Sequence, residues 1–178
     1  MKFILTRHTT TEWNSVGRIQ GQTDISLSQQ GKAEAEQLAK LLSGLGINFI
    51  VSSDLKRSSE TAEIINSLLV VPLQLERRLR ECSFGNVEAL TKQQAIEQYG
   101  SSMAQNWEDQ YQSYNFRPFG GEHREDVLER HIEVLELLSS QKLGTTLLVG
   151  HGRGLCTLLA GLGQSPELKR GEYRLIEY

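Results

Sequence analysis

The chain has 178 residues, 38% of them hydrophobic and 23% charged, a composition that fits one globular domain spanning 1–178 rather than a disordered chain. A formal net charge of −3 argues against nucleic acid or an anionic membrane surface as the main partner, since both demand a dense basic face. No run approaches the ~18 apolar residues of a spanning helix, no N-terminal segment reads as a signal peptide, and Cys82 and Cys156 match no paired metal-ligand spacing. The expectation is a cytoplasmic chain with reduced thiols and no metal.

From the N-terminus, the apolar run Phe3-Ile4-Leu5 sets a first strand at Lys2 to Thr6, followed by a polar loop from Arg7 to Ser26. A helix begins at about Ser28, a suitable N-cap, with Gly31, Ala35, Leu38 and Leu42 on one face. Ile47 to Ser52 reads as a buried strand. The next helix starts at about Leu55, capped by Asp54, with Ser58, Ala62, Ile65 and Leu69 in one stripe. Pro72 precedes a short strand at Leu73 to Leu75. From Thr91 to Phe119 the chain is irregular and rich in aromatic residues, and one or two short helices are expected there. A strong helix runs from about Arg124 to Ser140, burying Leu128, Ile132, Leu135 and Leu138. A strand at Thr145 to Val149, a helix from Gly154 to Leu162 and a strand at Glu172 to Glu177 follow. Strands alternating with helices imply an α/β fold with a largely parallel sheet covered on both faces, and ligand sites in such sheets lie beyond the carboxyl ends of the strands.

Chemistry-bearing residues fall at those ends. Arg7 and His8 follow the first strand, and Gly150-His151-Gly152 follows the strand at Thr145 to Val149. A guanidinium fork binds phosphate oxygens, and a neutral imidazole beside it can attack phosphorus. Arg57 occupies the first turn of a helix, where the macrodipole disfavours a cation unless an anion sits nearby. Backbone N–H groups at that helix end, and at Gly152-Arg153-Gly154, would add donors for the same anion. Glu81, in a loop before Phe84-Gly85, is the candidate proton donor. His131 lies at helical spacing from Leu128 and Leu135 and reads as a packed, hydrogen-bonded core histidine.

Together these residues resemble the histidine phosphatase superfamily, also called the phosphoglycerate-mutase-like family. Arg7-His8 with Asn14, Gln20-Gly21 and Asp24 through Leu27 looks like its first motif, and Ser52-Ser53-Asp54-Leu55-Lys56-Arg57-Ser58 with Thr61-Ala62 like its second. Glu81 with Phe84-Gly85 and Gly150-His151-Gly152 are similar to the third and fourth. The resemblance implies a three-layer α/β/α sandwich, a phosphohistidine mechanism without metal or other cofactor, and a phosphate pocket lined by Arg7, Asn14, Gln20, Gly21, Arg57 and Gly152. Thr9 replaces the glycine that usually follows Arg-His and is expected to narrow the phosphate cradle. His123 stands where many relatives carry serine, and Gly120-Gly121-Glu122-His123 is as compatible with the site mouth as with a purely structural turn. Arg153 adds a long side chain beside the second histidine.

The implied reaction starts from a neutral His8, since like-charged guanidinium groups oppose its protonation. His8 attacks phosphorus while Arg7, Arg57 and His151 hold the phosphoryl oxygens. A phosphate dianion next to Glu81 favours its protonated form, so one carboxyl can serve first as acid and then as base. Mutases of this family carry a basic insertion after the glutamate. Here that stretch offers Lys92 and Arg117 among the acids Glu88, Glu97, Glu108 and Asp109, a poor cradle for a multiply charged anion. The expected activity is therefore phosphatase action on a small-molecule phosphomonoester by a monomer or homodimer, similar to compact α-ribazole phosphatase-like and broad-specificity members. The alternatives are a cofactor-dependent phosphoglycerate mutase and a non-catalytic phosphate-binding module. The aromatic residues from Trp107 to Phe119 are read as a lid over the leaving group.

Overall fold

The computed structural model describes residues 1–108 and 111–178. A five-stranded sheet runs in the order β3-β2-β4-β1-β5, with β1 Lys2–Arg7, β2 Phe49–Ser52, β3 Leu73–Leu75, β4 Thr146–Gly150 and β5 Tyr173–Glu177. All neighbours pair in parallel except β1 and β5, so the sheet is mixed but largely parallel, as expected.

Alternation along the strands divides the core. Ile4, Ile50, Leu147 and Val149 face one side and pack on α2 (Gln29–Leu42) and α3 (Lys56–Leu69) through Leu38, Leu42, Ala62 and Ile65. Phe3, Leu5, Val51 and Leu148 face the other, against α6 (Arg124–Gln141) and α7 (Gly152–Gly161). Three layers result, as the resemblance implied.

A third cluster sits outside these layers. It joins Phe84, Val87, Met103, Tyr114, Phe116 and Phe119, drawing on α4 (Lys92–Tyr99) and α5 (Ser101–Glu108). One or two short helices were expected between Thr91 and Phe119, and two α-helices are present among the described residues. Asp109, counted among the acids after Glu81, lies outside the described residues.

Several local expectations need correction. Ser28 caps α2 by accepting from the Gly31 N–H at 3.0 Å, but Asp54 does not cap α3. Its carboxylate takes a two-pronged ion pair from Arg80, both contacts 2.7 Å, while Asp24 accepts from the Lys56 N–H at 2.7 Å and serves the helix end instead. The loop after β1 contains one helical turn, α1 (Glu12–Ser15), closed by a capping box between Thr11 and Asn14. On α6 the fully buried positions are Val127, His131, Val134, Leu135 and Leu138, with Leu128 and Ile132 only partly covered. α7 starts two residues earlier than expected, directly after His151. Among the described residues no helix is long and apolar enough to cross a membrane.

Candidate active site

β1 and β4 are adjacent and parallel, with Arg7 paired to Gly150, so the residues that follow them, His8 and His151, emerge side by side. The His8 N–H extends the ladder to the Gly150 carbonyl at 2.8 Å. The two imidazole centroids are 5.2 Å apart. A cavity of about 300 Å³ opens above them, with Arg7, His8, Arg57 and Glu81 in its wall. Asn14, Gln20, Gly21 and Gly152 line it as well, while His151 lies one ring deeper, fully buried.

His8 is held in one tautomer. Its Nδ1 lies 2.7 Å from the Thr9 carbonyl, which can only accept, so the proton is on Nδ1 and Nε2 carries the lone pair. Burial and the Arg57 guanidinium, with Arg7 adding to them, hold the ring well below the ordinary imidazole range. His151 is held low by burial, by Arg57 and by His8, and its Nε2 lies 2.8 Å from the Ser53 hydroxyl. Both rings are therefore neutral near pH 7.

Arg57 is completely buried, although it lies in the first turn of α3. Its guanidinium donates to the carbonyls of Gly21 at 2.6 Å and Thr23 at 2.8 Å. Burial lowers its pKa to about 10, opposed by Glu81, Asp24 and Glu88, so it remains a cation. Gly21 adopts φ +52°, and a Cβ there would sit 2.2 Å from the Glu88 carboxylate, which explains why glycine occupies the turn that offers its carbonyl to Arg57. Arg7 donates to the Leu168 carbonyl at 3.0 Å and lies close against Gly152, where a Cβ would approach Nη2 to 2.6 Å.

Glu81 occupies the N-terminus of α7. Oε1 accepts from the N–H groups of Cys82 and Gly154, both at 2.9 Å, and Oε2 from that of Arg153 at 3.1 Å. The concavity before α7, expected to supply donors to a phosphate, is thus filled by the acid itself. With two donors on Oε1 and one on Oε2, Oε2 has the free lone pair able to carry a proton. Asn14, which lines the cavity, gives its side-chain oxygen to the Thr11 N–H and hydroxyl, so the group it has left for a ligand is its amide nitrogen, a donor. The amide oxygen of Gln20 is buried with no hydrogen-bond partner among the described residues.

The departures resolve differently from expectation. Thr9 does not narrow the cradle: its hydroxyl donates to the Gly31 carbonyl at 2.7 Å and its N–H to the Thr61 hydroxyl at 3.2 Å, away from the cavity. For His123 the structure takes the structural reading: it caps α6 in a reciprocal pair with Asp126, contacts Glu125 and does not line the cavity. His131 is buried as expected, its Nδ1–H on the Val127 carbonyl at 2.7 Å. Arg153 lines the cavity with its guanidinium among the rings of Phe84, Trp107, Tyr114 and Phe116, 4.7–5.4 Å from their centroids. The aromatic segment divides: Trp107 and Tyr111 line the cavity, whereas Tyr114, Phe116 and Phe119 belong to the third core cluster.

Sequence reasoning missed Arg18, which lines the cavity, and Glu88, which accepts from the N–H groups of Gln22 and Thr23 and shapes the Gln20-Gly21 turn. Arg18 lies between Asn14 and Gln20, so its neighbours were the available signal. Glu88 binds backbone far away in sequence and has no local signature.

The profile of the histidine phosphatase superfamily, branch 1, matches residues 3–175. The chain belongs to the histidine phosphatase superfamily. The chain is 33% identical over 183 residues to "Probable phosphoglycerate mutase GpmB" of Escherichia fergusonii, a match covering 98% of this chain and 80% of the relative. Among solved structures it is similar to Bacillus stearothermophilus YhfR, with a TM-score of 0.87, 28% identity, and coverage of 99% of this chain and 90% of the other. It is equally similar in sequence to the mycobacterial glucosyl-3-phosphoglycerate phosphatase Rv2419c in complex with VO3, with a TM-score of 0.85, 28% identity and the same coverage. Superfamily members so named thus include both phosphatases and mutases.

Proposed function

We propose that this superfamily member is a phosphatase that hydrolyses a small-molecule phosphomonoester through a phosphohistidine on His8. One observation carries the reading: the bare Nε2 lone pair of a neutral His8 shares a cavity with two guanidinium groups, Arg7 and Arg57, and one carboxyl, Glu81. In the first step the bond from His8 Nε2 to phosphorus forms as the bond from phosphorus to the ester oxygen breaks, and Glu81 gives that oxygen a proton. In the second, a water oxygen attacks phosphorus, the bond to Nε2 breaks, and Glu81 takes the water's proton. Arg7, Arg57 and His151 stabilise charge on the transferring group, with Asn14, Gln20, Gly21 and Gly152 shaping its seat. The phosphatase relative of similar fold supports this outcome.

The mutase reading keeps one specific support. The stretch after Glu81 is poor in basic residues, but Arg18 and Arg153 add cations to the cavity from elsewhere. Incubation with phosphoglycerate separates the two by released inorganic phosphate against isomerised product.

The direct test is acid-labile phosphate on a Glu81→Gln variant after mixing with p-nitrophenyl phosphate. Phosphate mapped to His8 is expected, together with loss of turnover in His8→Ala. A variant that binds substrate and never acquires phosphate on His8 rules out the covalent route.

A further inference from the structure

Glu81 lies in an irregular segment, Arg80 to Phe84, which has no strand to hold its carbonyls. Arg130, 49 residues later on α6, meets that need. Its Nη1 donates to the carbonyls of Arg78 and Arg80, both at 2.6 Å, and its Nη2 to the carbonyl of Glu81 at 3.0 Å. The remaining donors go to Glu122, Nε to Oε1 at 2.9 Å and Nη2 to Oε2 at 3.1 Å. All five N–H groups of the guanidinium are therefore used. Glu122 closes the other flank, its Oε2 accepting from the Ser83 N–H at 2.7 Å. One ion pair thus grips the backbone before, at and after the acid, and neither member lines the cavity.

We propose that Arg130 and Glu122 are positioning residues that set the place of the Glu81 carboxyl relative to His8. The inference rests on the reading of Glu81 as proton donor. A planar fork with its donors in fixed directions is what three carbonyls and a carboxylate require, and a lysine cannot supply it. Weakening the grip leaves the Arg7-Arg57 clamp intact but lets the acid drift. Proton delivery to the leaving oxygen then suffers before substrate binding does, because a displacement of about 1 Å costs on the order of 10²-fold in rate.

Leaving-group dependence tests this. An alkyl ester such as glycerol phosphate needs a proton on its departing oxygen, whereas p-nitrophenolate departs with little help. Single-turnover phosphorylation of Arg130→Lys is compared with Glu81→Gln on both esters, alongside steady-state KM and melting temperature. The expected result is a loss of about 10²-fold with the alkyl ester, at least about tenfold smaller with p-nitrophenyl phosphate, and little change in KM. Equal losses on the two esters, or no loss on either, overturn the inference. Should Arg130→Lys fail to fold, Glu122→Gln carries the same comparison with the same criteria. If Glu81→Gln itself lacks the dependence, the assignment of the acid falls and the positioning role with it. If Glu81→Gln shows it and the clamp variants do not, only the positioning role falls.

Discussion

Gly152→Ala separates activity from stability. Gly152 opens α7, and a Cβ on it would lie 2.6 Å from Arg7 Nη2, 2.8 Å from Cζ and 3.1 Å from Nε. Ordinary contact begins near 3.4 Å, so the guanidinium must retreat by about 1 Å. A displacement of that size at a phosphoryl clamp costs on the order of 10²-fold in kcat/KM, about 2.7 kcal/mol of transition-state stabilisation. Fold stability should move the other way or not at all. The obstructed group is the end of a long side chain rather than backbone, and exchanging glycine for alanine in a helix gains up to about 1 kcal/mol. The assay is p-nitrophenyl phosphate turnover beside thermal unfolding. In an Arg7→Ala background the same change should add almost nothing, since the two substitutions remove one interaction. Activity within about threefold of the parent, with the fold retained, refutes the claim that the missing side chain at 152 seats Arg7.

Thr9→Gly should cost about 1–2 kcal/mol in denaturant unfolding, from the hydrogen bond to the Gly31 carbonyl and the added backbone freedom, while inhibition by inorganic phosphate stays unchanged. Tighter phosphate binding would mean that Thr9 does crowd the cradle. His131→Leu should flatten the acid side of the stability profile. Burial and Arg130 lower the His131 pKa from 6.5 to about 3, so its neutral form is favoured in the folded state. That contribution is whole above pH 6.5 and is lost as pH falls from there toward 3, with a slope of up to about 1.4 kcal/mol per pH unit that the variant lacks. Equal slopes in urea unfolding between pH 7 and pH 4.5 would contradict it.

Elements with strong local signals were legible in the sequence. The stripe of Gly31, Ala35, Leu38 and Leu42 behind Ser28 located α2, and Pro72 before Leu73 located β3. Asp54 shows where local reading stops: it stands beside a helix start, yet Arg80, 26 residues on, claims both its oxygens. The buried side of α6 shifted for a similar reason, since that helix meets the sheet, α7 and the third cluster, and Val127 faces the last of these. At the site, Arg7, His8 and His151 were readable because they follow two strands that the topology carries to one edge, whereas Arg57 at its helix start and Glu81 before Phe84-Gly85 were readable through their resemblance to the family's motifs. Glu88, Glu122 and Arg130 were not, because their partners are backbone groups of remote segments, which no side-chain pattern records.

The strand order also governs when the paired imidazoles can come into being. β1 precedes the other four strands of the sheet in chain order, yet its neighbours, β4 and β5, are built from residues 146 to 177. In chain order the segment carrying Arg7 and His8 has no ladder to join until β4, which begins at Thr146. Closing so long a loop is slow compared with local pairing. Until β4 is in place the segment is a stretch of sequence without a phosphoryl seat, so chemical competence waits on a strand that is remote in the chain and adjacent in the sheet.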